Sequence, residues 1–401
     1  MDVAQRLENA PSHGEVIRCI DMHTTGEPTR IIYSGWPRLS GTLLDQREQA
    51  VADYDHLRKR IMLEPRGHID MYGAIIIQET ELVHSGEAQI GVLFTHNGGF
   101  STMCGHATIA LGRFLVDTHD LTVFPRRNEL KANLDTATVD LSIHAPCGVI
   151  RVSVPTTADG NASDPSRPVS FLSAPAYAAA LSLTVSIPEE VRWPELGDRR
   201  SIMLDLSYGG AFYALVDVKE LGFVGLTQLD LPAISHAVSR LKPYLAQHPA
   251  IVDGLHEATD ERLAFLYSVM VVDRSVGSWP DGVDGTETGL CFFADNQIDR
   301  SPTGSCVTAR MALAHNKGVR KPGQRWAYNS VVSNFFDTGA FTASIAEERI
   351  TRVETIKGTI RDAVTVRVEG KAFYTGTLAL VVEKNDVTSE SGFTLKQVVQ
   401  V

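Results

Sequence analysis

Clustered positive charge is missing from this chain. Acidic residues outnumber basic ones 48 to 37, the net charge is −11, and no run of lysines and arginines makes a stripe. A nucleic-acid backbone calls for such a stripe, so nucleic acid is excluded as a partner. No apolar stretch is long enough to span a bilayer, and "MDVAQRLENAPSHGE" lacks the basic-then-apolar order of a secretory signal. No membrane partner and a cytoplasmic location are therefore expected. Cysteine is also sparse: the five (Cys19, Cys104, Cys147, Cys291, Cys306) are odd in number, widely spaced and without a CxxC. Neither a disulfide framework nor a structural metal site is expected from that pattern.

What is present is ordinary soluble-protein composition, 43% hydrophobic and 21% charged over 401 residues. That length exceeds the usual size of one core and predicts two domains, 14–165 and 166–401. The boundary falls near "PTTADGNASDPSRP" (Pro155 to Pro168), a run of turn formers. "VIRCIDMHTTGEPTRIIY" reads as strand, turn, strand, and "LLDQREQAVADYDHLRKRIMLEPRGH" as one amphipathic helix, whole or broken. "SIMLDLSYGGAFYALVDV" repeats the strand–turn–strand pattern in the second half, "LDLPAISHAVSRLKPYLAQH" reads as a helix, and "LAFLYSVMVVD" and "GLCFFAD" as buried strands. "VTVRVEG" and "TGTLALVVE" are expected to pair and to close either domain's sheet.

Two short stretches carry the chemistry. "MCGHATIALGRF" (Met103 to Phe114) and "DRSPTGSCVTARMALAHNKG" (Asp299 to Gly318) each put a glycine at a predicted helix start. Cys104-Gly105-His106-Ala107 aligns with Thr303-Gly304-Ser305-Cys306, so a thiol stands before one glycine and a hydroxyl before the other. A helix N-terminus favours a carboxylate ligand and lowers a nearby thiol's pKa, and glycine lets backbone approach closely. Cys104 is thereby a candidate base as well as a nucleophile. Two such helix starts facing each other would grip one carboxylate and spread the charge that builds when the adjacent carbon loses its proton.

The chain resembles the proline racemase family, and within it the trans-3-hydroxy-L-proline dehydratase branch. "HTTGEPTR" (His23 to Arg30), "PRGHIDMYGAI" (Pro65 to Ile75), "MCGH" (Met103 to His106), "YGGAFYA" (Tyr208 to Ala214) and "DRSPTGS" (Asp299 to Ser305) carry the resemblance over most of its length. It implies an α/β fold of two pseudo-symmetric domains, like diaminopimelate epimerase, each a curved, mostly antiparallel sheet around a central helix, with the active site in the cleft between them. It further implies no cofactor, a hydroxyproline-like cyclic amino acid as substrate, and a homodimer. Racemases of the family carry a cysteine in each half; Cys104 matches the first, and Thr303 stands in place of the second. By the same transfer, Gly105, His106, Asp299, Gly304 and Ser305 match substrate-binding positions, with Asp299 expected to pair with the ring nitrogen.

A threonine hydroxyl is neither an acid nor a base near pH 7, so only one face of the substrate is armed. In trans-3-hydroxy-L-proline the α-hydrogen and the hydroxyl share a face. One thiolate can take the α-proton and return it to the departing oxygen, which makes the expected reaction a syn dehydration to Δ1-pyrroline-2-carboxylate.

Plainer readings stand beside these. Asp299 can cap a turn, Thr303 a helix, and His106 can pack in a core. Cys19, Cys147 and Cys291 are expected as small packing residues. Cys306 is expected to be buried as well; if its sulfur reached the site, a second base would be restored. The functional alternatives are proline or hydroxyproline racemisation or epimerisation, a catalytically silent amino-acid-binding protein, and a cysteine hydrolase. The last is disfavoured because Cys104 and His106 are near neighbours in sequence.

Overall fold

The computed structural model describes residues 2–9, 16–346 and 351–399; residues 14 and 401, the outer limits expected for the two domains, lie outside them. The chain divides into two compact units. The first holds Met1–Ser101, His106–Val169 and Lys371–Val401, and the second Thr102–Gly105 and Ser170–Gly370.

In the first unit, alternation sets the opening hairpin. Ile17–Thr24 buries Ile17, Cys19, Met22 and Thr24 and pairs antiparallel with Glu27–Ser34. Thr25 and Gly26 join them, both at positive φ (53° and 83°), the two-residue hairpin geometry that suits strand twist. From there the sheet steps parallel to Tyr72–Ile77, antiparallel to Ile90–His96, parallel to Thr138–Ala145 and antiparallel to Gly148–Pro155. The short strand Gly99–Ser101 folds back on Ile90–His96 and leads to helix α1, Gly105–Asp117. A Cβ on Gly112 would lie 2.7 Å from Val152 Cγ1, so this glycine is what allows α1 to lie close against its sheet.

The second unit repeats that course. Ser201–Tyr208 and Phe212–Asp217 form the antiparallel hairpin; the sheet then steps parallel to Leu266–Asp273, antiparallel to Gly285–Phe293, parallel to Arg325–Asn329 and antiparallel to Phe341–Ile345. Here Gln297–Ile298 folds back on Gly285–Phe293 and leads to helix α2, Gly304–Asn316. The helix is buried from Gly304 to Ala314 and packs against Tyr177–Ser186, Ser201–Tyr208, Phe212–Asp217, Phe341–Ile345 and Val366–Gly370. A helix touched by five strands has the sheet curled round it. The duplicated strand order and the mostly antiparallel pairing agree with the expected architecture.

The amphipathic stretch takes the broken form that the sequence left open, as two helices, Leu43–Asp53 and Asp55–Met62. Tyr54 leaves the helical conformation at ψ 14°, and Asp55 opens the second helix with ion pairs to Arg58 and Lys59. The two C-terminal strands, expected to pair with each other, take separate partners: Val366–Gly370 pairs with Phe341–Ile345, and Phe373–Leu380 pairs with Ile17–Thr24. Lys371–Val401 groups with the first unit, the return of the last strands that the sequence left open. No helix among the described residues is long and apolar enough to cross a membrane.

Candidate active site

Thr102–Gly105 groups with the second unit, although the chain on either side of it groups with the first. Thr102 anchors the segment by donating its hydroxyl to the Gly210 carbonyl at 2.6 Å. Cys104 follows, 4% exposed, immediately before the first residue of α1. At Gly105 a Cβ would lie 2.5 Å from Gly304 Cα, and at Gly304 one would lie 2.8 Å from Gly105 Cα. Backbone meets backbone there, so the glycines of "CGH" and "TGS" are both required by contact with each other.

The loop before α2 is organised by Asp299. Its Oδ1 accepts the Ser301 N–H at 2.7 Å, and its Oδ2 accepts the Thr303 hydroxyl at 2.7 Å. The Thr303 N–H donates to Ser301 Oγ at 3.1 Å. Thr303 itself sits at φ 63°, ψ 82°, a left-handed conformation that disfavours a β-branched residue by roughly 1–2 kcal/mol. It holds the N-cap position of α2, yet its side chain makes no capping hydrogen bond because the hydroxyl is turned to Asp299. The first-turn N–H groups of α2 are therefore not capped from Thr303, which suits them to a carboxylate ligand.

The "YGGAFYA" motif braces this helix start. A Cβ on Gly209 would lie 2.2 Å from the Ser305 carbonyl oxygen and 2.6 Å from Ala309 N. Ser207 Oγ donates to the Ala309 carbonyl at 2.8 Å, and the Tyr213 hydroxyl meets Ser305 Oγ at 2.6 Å. Burial holds Tyr213 protonated, its pKa well above the ordinary tyrosine value. Tyr213 and Thr102 were not singled out from the sequence; both lie within quoted motif stretches or next to one.

Cys306, Cys291 and Cys19 are buried, and burial raises the pKa of each thiol. Cys306 is 0% exposed, and burial, with Cys291 adding to it, pushes its thiol well above the ordinary value. Burial likewise raises Cys291 to about 12, Asp299 contributing in the same direction, and its sulfur lies 2.9 Å from Ser268 Oγ. Cys19, in the core of the first unit, is pushed up by burial to about 12 as well.

His106 belongs to the first unit, where its ring packs edge-on to Tyr72 at 4.7 Å between centroids. Its carbonyl accepts the Thr24 hydroxyl at 3.1 Å. His23 orders its own turn by accepting the Gly26 N–H at Nδ1, 3.1 Å, and burial lowers its pKa. Among the described residues no group of three or more His, Cys, Asp and Glu is placed to hold a metal ion.

Of the seven residues singled out from the sequence, Cys104, Gly105, Asp299, Thr303, Gly304 and Ser305 thus lie in one compact unit, and His106 in the other. A duplicated sheet-and-helix topology with glycine at each helix start defines the class, a two-unit α/β fold. The chain belongs to the proline racemase family, whose model matches residues 19–394.

Among its relatives, a trans-3-hydroxy-L-proline dehydratase of Homo sapiens is 36% identical over 400 residues, covering 99% of this chain and 100% of that protein. A trans-L-3-hydroxyproline dehydratase of Xenopus tropicalis is 38% identical over 398 residues, 98% and 99% of the two chains. A crystal structure of a hydroxyproline epimerase from Agrobacterium vitis, with trans-4-hydroxy-L-proline bound, superposes with a TM-score of 0.72 at 21% identity, covering 96% of this chain and 98% of that one. At that identity the likeness is one of fold.

Proposed function

We propose that this chain is a cofactor-independent hydro-lyase that removes water from trans-3-hydroxy-L-proline. The observation that carries the reading is the state of residue 303. Where a second thiol would be needed for racemisation, there is a hydroxyl already donated to Asp299, and the neighbouring thiol of Cys306 is sealed in the core. That leaves Cys104 as the acid/base. The full-length similarity to dehydratases of two vertebrates supports the same substrate.

In this mechanism the substrate carboxylate lies against the N–H groups at the glycine helix starts, and Asp299 receives the ring ammonium. The Cys104 thiolate takes the α-proton, and the electron pair left behind is stabilised as an enediolate by those N–H donors. The C–O bond to the 3-hydroxyl then breaks, and the proton now on Cys104 leaves with the oxygen as water. The enamine that remains shifts a proton to carbon and becomes Δ1-pyrroline-2-carboxylate. Thr303 takes no proton. With its hydrogen committed to Asp299, it offers the site only oxygen lone pairs and helps hold the carboxylate that receives the ring nitrogen. The family resemblance extends the reading to a homodimer in the cytoplasm, checked by light scattering of the purified chain and by fractionation.

The test is an assay of trans-3-hydroxy-L-proline with wild type, Cys104→Ser and Thr303→Cys side by side, with L-proline in D2O as a second substrate. Dehydration is expected in wild type and absent in Cys104→Ser, and wild type should exchange the proline α-hydrogen without inverting it. Accumulation of D-proline with wild type would overturn the single-base scheme. Undiminished dehydration by Cys104→Ser would overturn the assignment of the base.

A further inference from the structure

Helix α2 has a second end, and a cavity of about 670 Å³ lies there, lined by Leu313, Ala314 and Lys317 and by residues of six strands of the second unit. The cavity reaches along α2 as far as Arg310, six residues or roughly 9 Å from Gly304 at about 1.5 Å per residue, and none of the Asp299–Thr303 residues lines it.

Its deepest polar group is a triad. Glu287 lies between Arg310 and Arg320, 2.7 Å from a guanidinium nitrogen of each, and all three side chains are at most 7% exposed. Burial alone would raise the Glu287 carboxyl, but the two arginines outweigh that and hold it at about 2, so it is ionised. Two guanidinium groups thus share one carboxylate, leaving one positive charge in excess in a buried position, an arrangement that invites a further anion. Arg310 also has an unsatisfied donor. Its Nε and Nη2 reach Glu287 and the Thr288 carbonyl, whereas Nη1, though buried, has no hydrogen-bond partner among the described residues.

The surroundings are those of a small-molecule pocket. Leu215, Val272, Leu313 and Trp326 supply apolar wall, and the volume falls in the usual range for such sites, with a few placed polar groups. At the mouth the charges are balanced: Arg274 pairs with Asp217 at 2.9 Å and Lys317 with Asp205 at 2.6 Å, and Lys219 and Glu220 complete the rim, so the excess positive charge belongs to the buried triad.

We propose that this cavity binds a small organic anion, its carboxylate or phosphate set against Arg310 and Arg320 and its apolar body along Leu215, Val272 and Leu313. The site lies wholly within the second unit and is independent of the reaction proposed above.

Calorimetric titration of the intact chain with hexanoate and, separately, with inorganic phosphate tests this and tells the two headgroups apart. Saturable one-to-one binding with a Kd of roughly 0.1–1 mM is expected for at least one of them. The rim reversal Lys219→Glu with Arg274→Glu should weaken it at least tenfold, and Cys104→Ser should leave it unchanged. Binding should also alter tryptophan fluorescence in wild type and not in Trp326→Phe, since Arg320 stacks on that ring at 4.2 Å. No saturable binding of either probe up to about 10 mM, or binding unmoved by the rim reversal, would overturn the proposal.

Discussion

Thr303 gives its hydroxyl hydrogen to Asp299 Oδ2 across 2.7 Å, and both groups are buried. That bond fixes the Thr303 alcohol at the mouth of α2 and the Asp299 carboxylate beside it in a single arrangement. Thr303→Val preserves shape and removes the donor. A hydrogen bond to a charged group is worth about 1.5–3 kcal/mol, so the unfolding free energy should fall by that amount while Thr303→Ser keeps most of it. Calorimetric unfolding of the three proteins checks this, and turnover should follow the same order.

Cys306 should be dispensable for chemistry. Cys306→Ala removes one buried sulfur, comparable to about one methylene, and should lower stability by about 1 kcal/mol. Turnover within twofold of wild type is expected. A large loss of turnover in a normally folded variant would mean that this thiol takes part.

The contact between Gly105 and Gly304 admits no methyl group. Gly304→Ala puts its Cβ 2.8 Å from Gly105 Cα and should cost more than about 2 kcal/mol of stability together with most of the activity. Gly376→Ala, whose Cβ would meet nothing within 4 Å, is the matched control and should be neutral. Thermal midpoints and dehydration rates of the two variants decide it.

Glu287 makes stability pH-dependent on the acid side. Its folded-state pKa of about 2 lies below the ordinary value of 4.5, so its contribution is present above that value and is lost as pH falls towards 2. The contribution is on the order of 3 kcal/mol. Urea unfolding at pH 6 and pH 3.5 should show a drop for wild type that is smaller for Glu287→Gln. That variant is expected to be less stable already at pH 6, because two buried arginines then lack their carboxylate.

Much of this was readable from local pattern. The buried residues Ile17, Cys19 and Met22, the Thr-Thr-Gly turn, and the glycines at 105 and 304 each announce their element through their nearest neighbours in sequence. Their long-range partners are another matter. The parallel step from Glu27–Ser34 to Tyr72–Ile77 and the return of Phe373–Leu380 to Ile17–Thr24 join segments whose sequences say only that they are strands. The break at Tyr54 depends on which of two neighbouring aspartates opens a helix. Thr303 was legible as a helix start, but its bond to Asp299 required the turn made through Ser301. Glu287, Arg310 and Arg320 come from a strand, from α2 and from the loop after it, and leave no mark as a group.

The placement of Phe373–Leu380 beside Ile17–Thr24 bears on how the protein is made. All but four residues of the second unit come from one uninterrupted stretch, whereas the first awaits a strand that leaves the ribosome only after the whole of that stretch. During synthesis the N-terminal sheet must wait with an open flank at Ile17–Thr24, a liability for pairing with other nascent chains. The half made first is the half finished last.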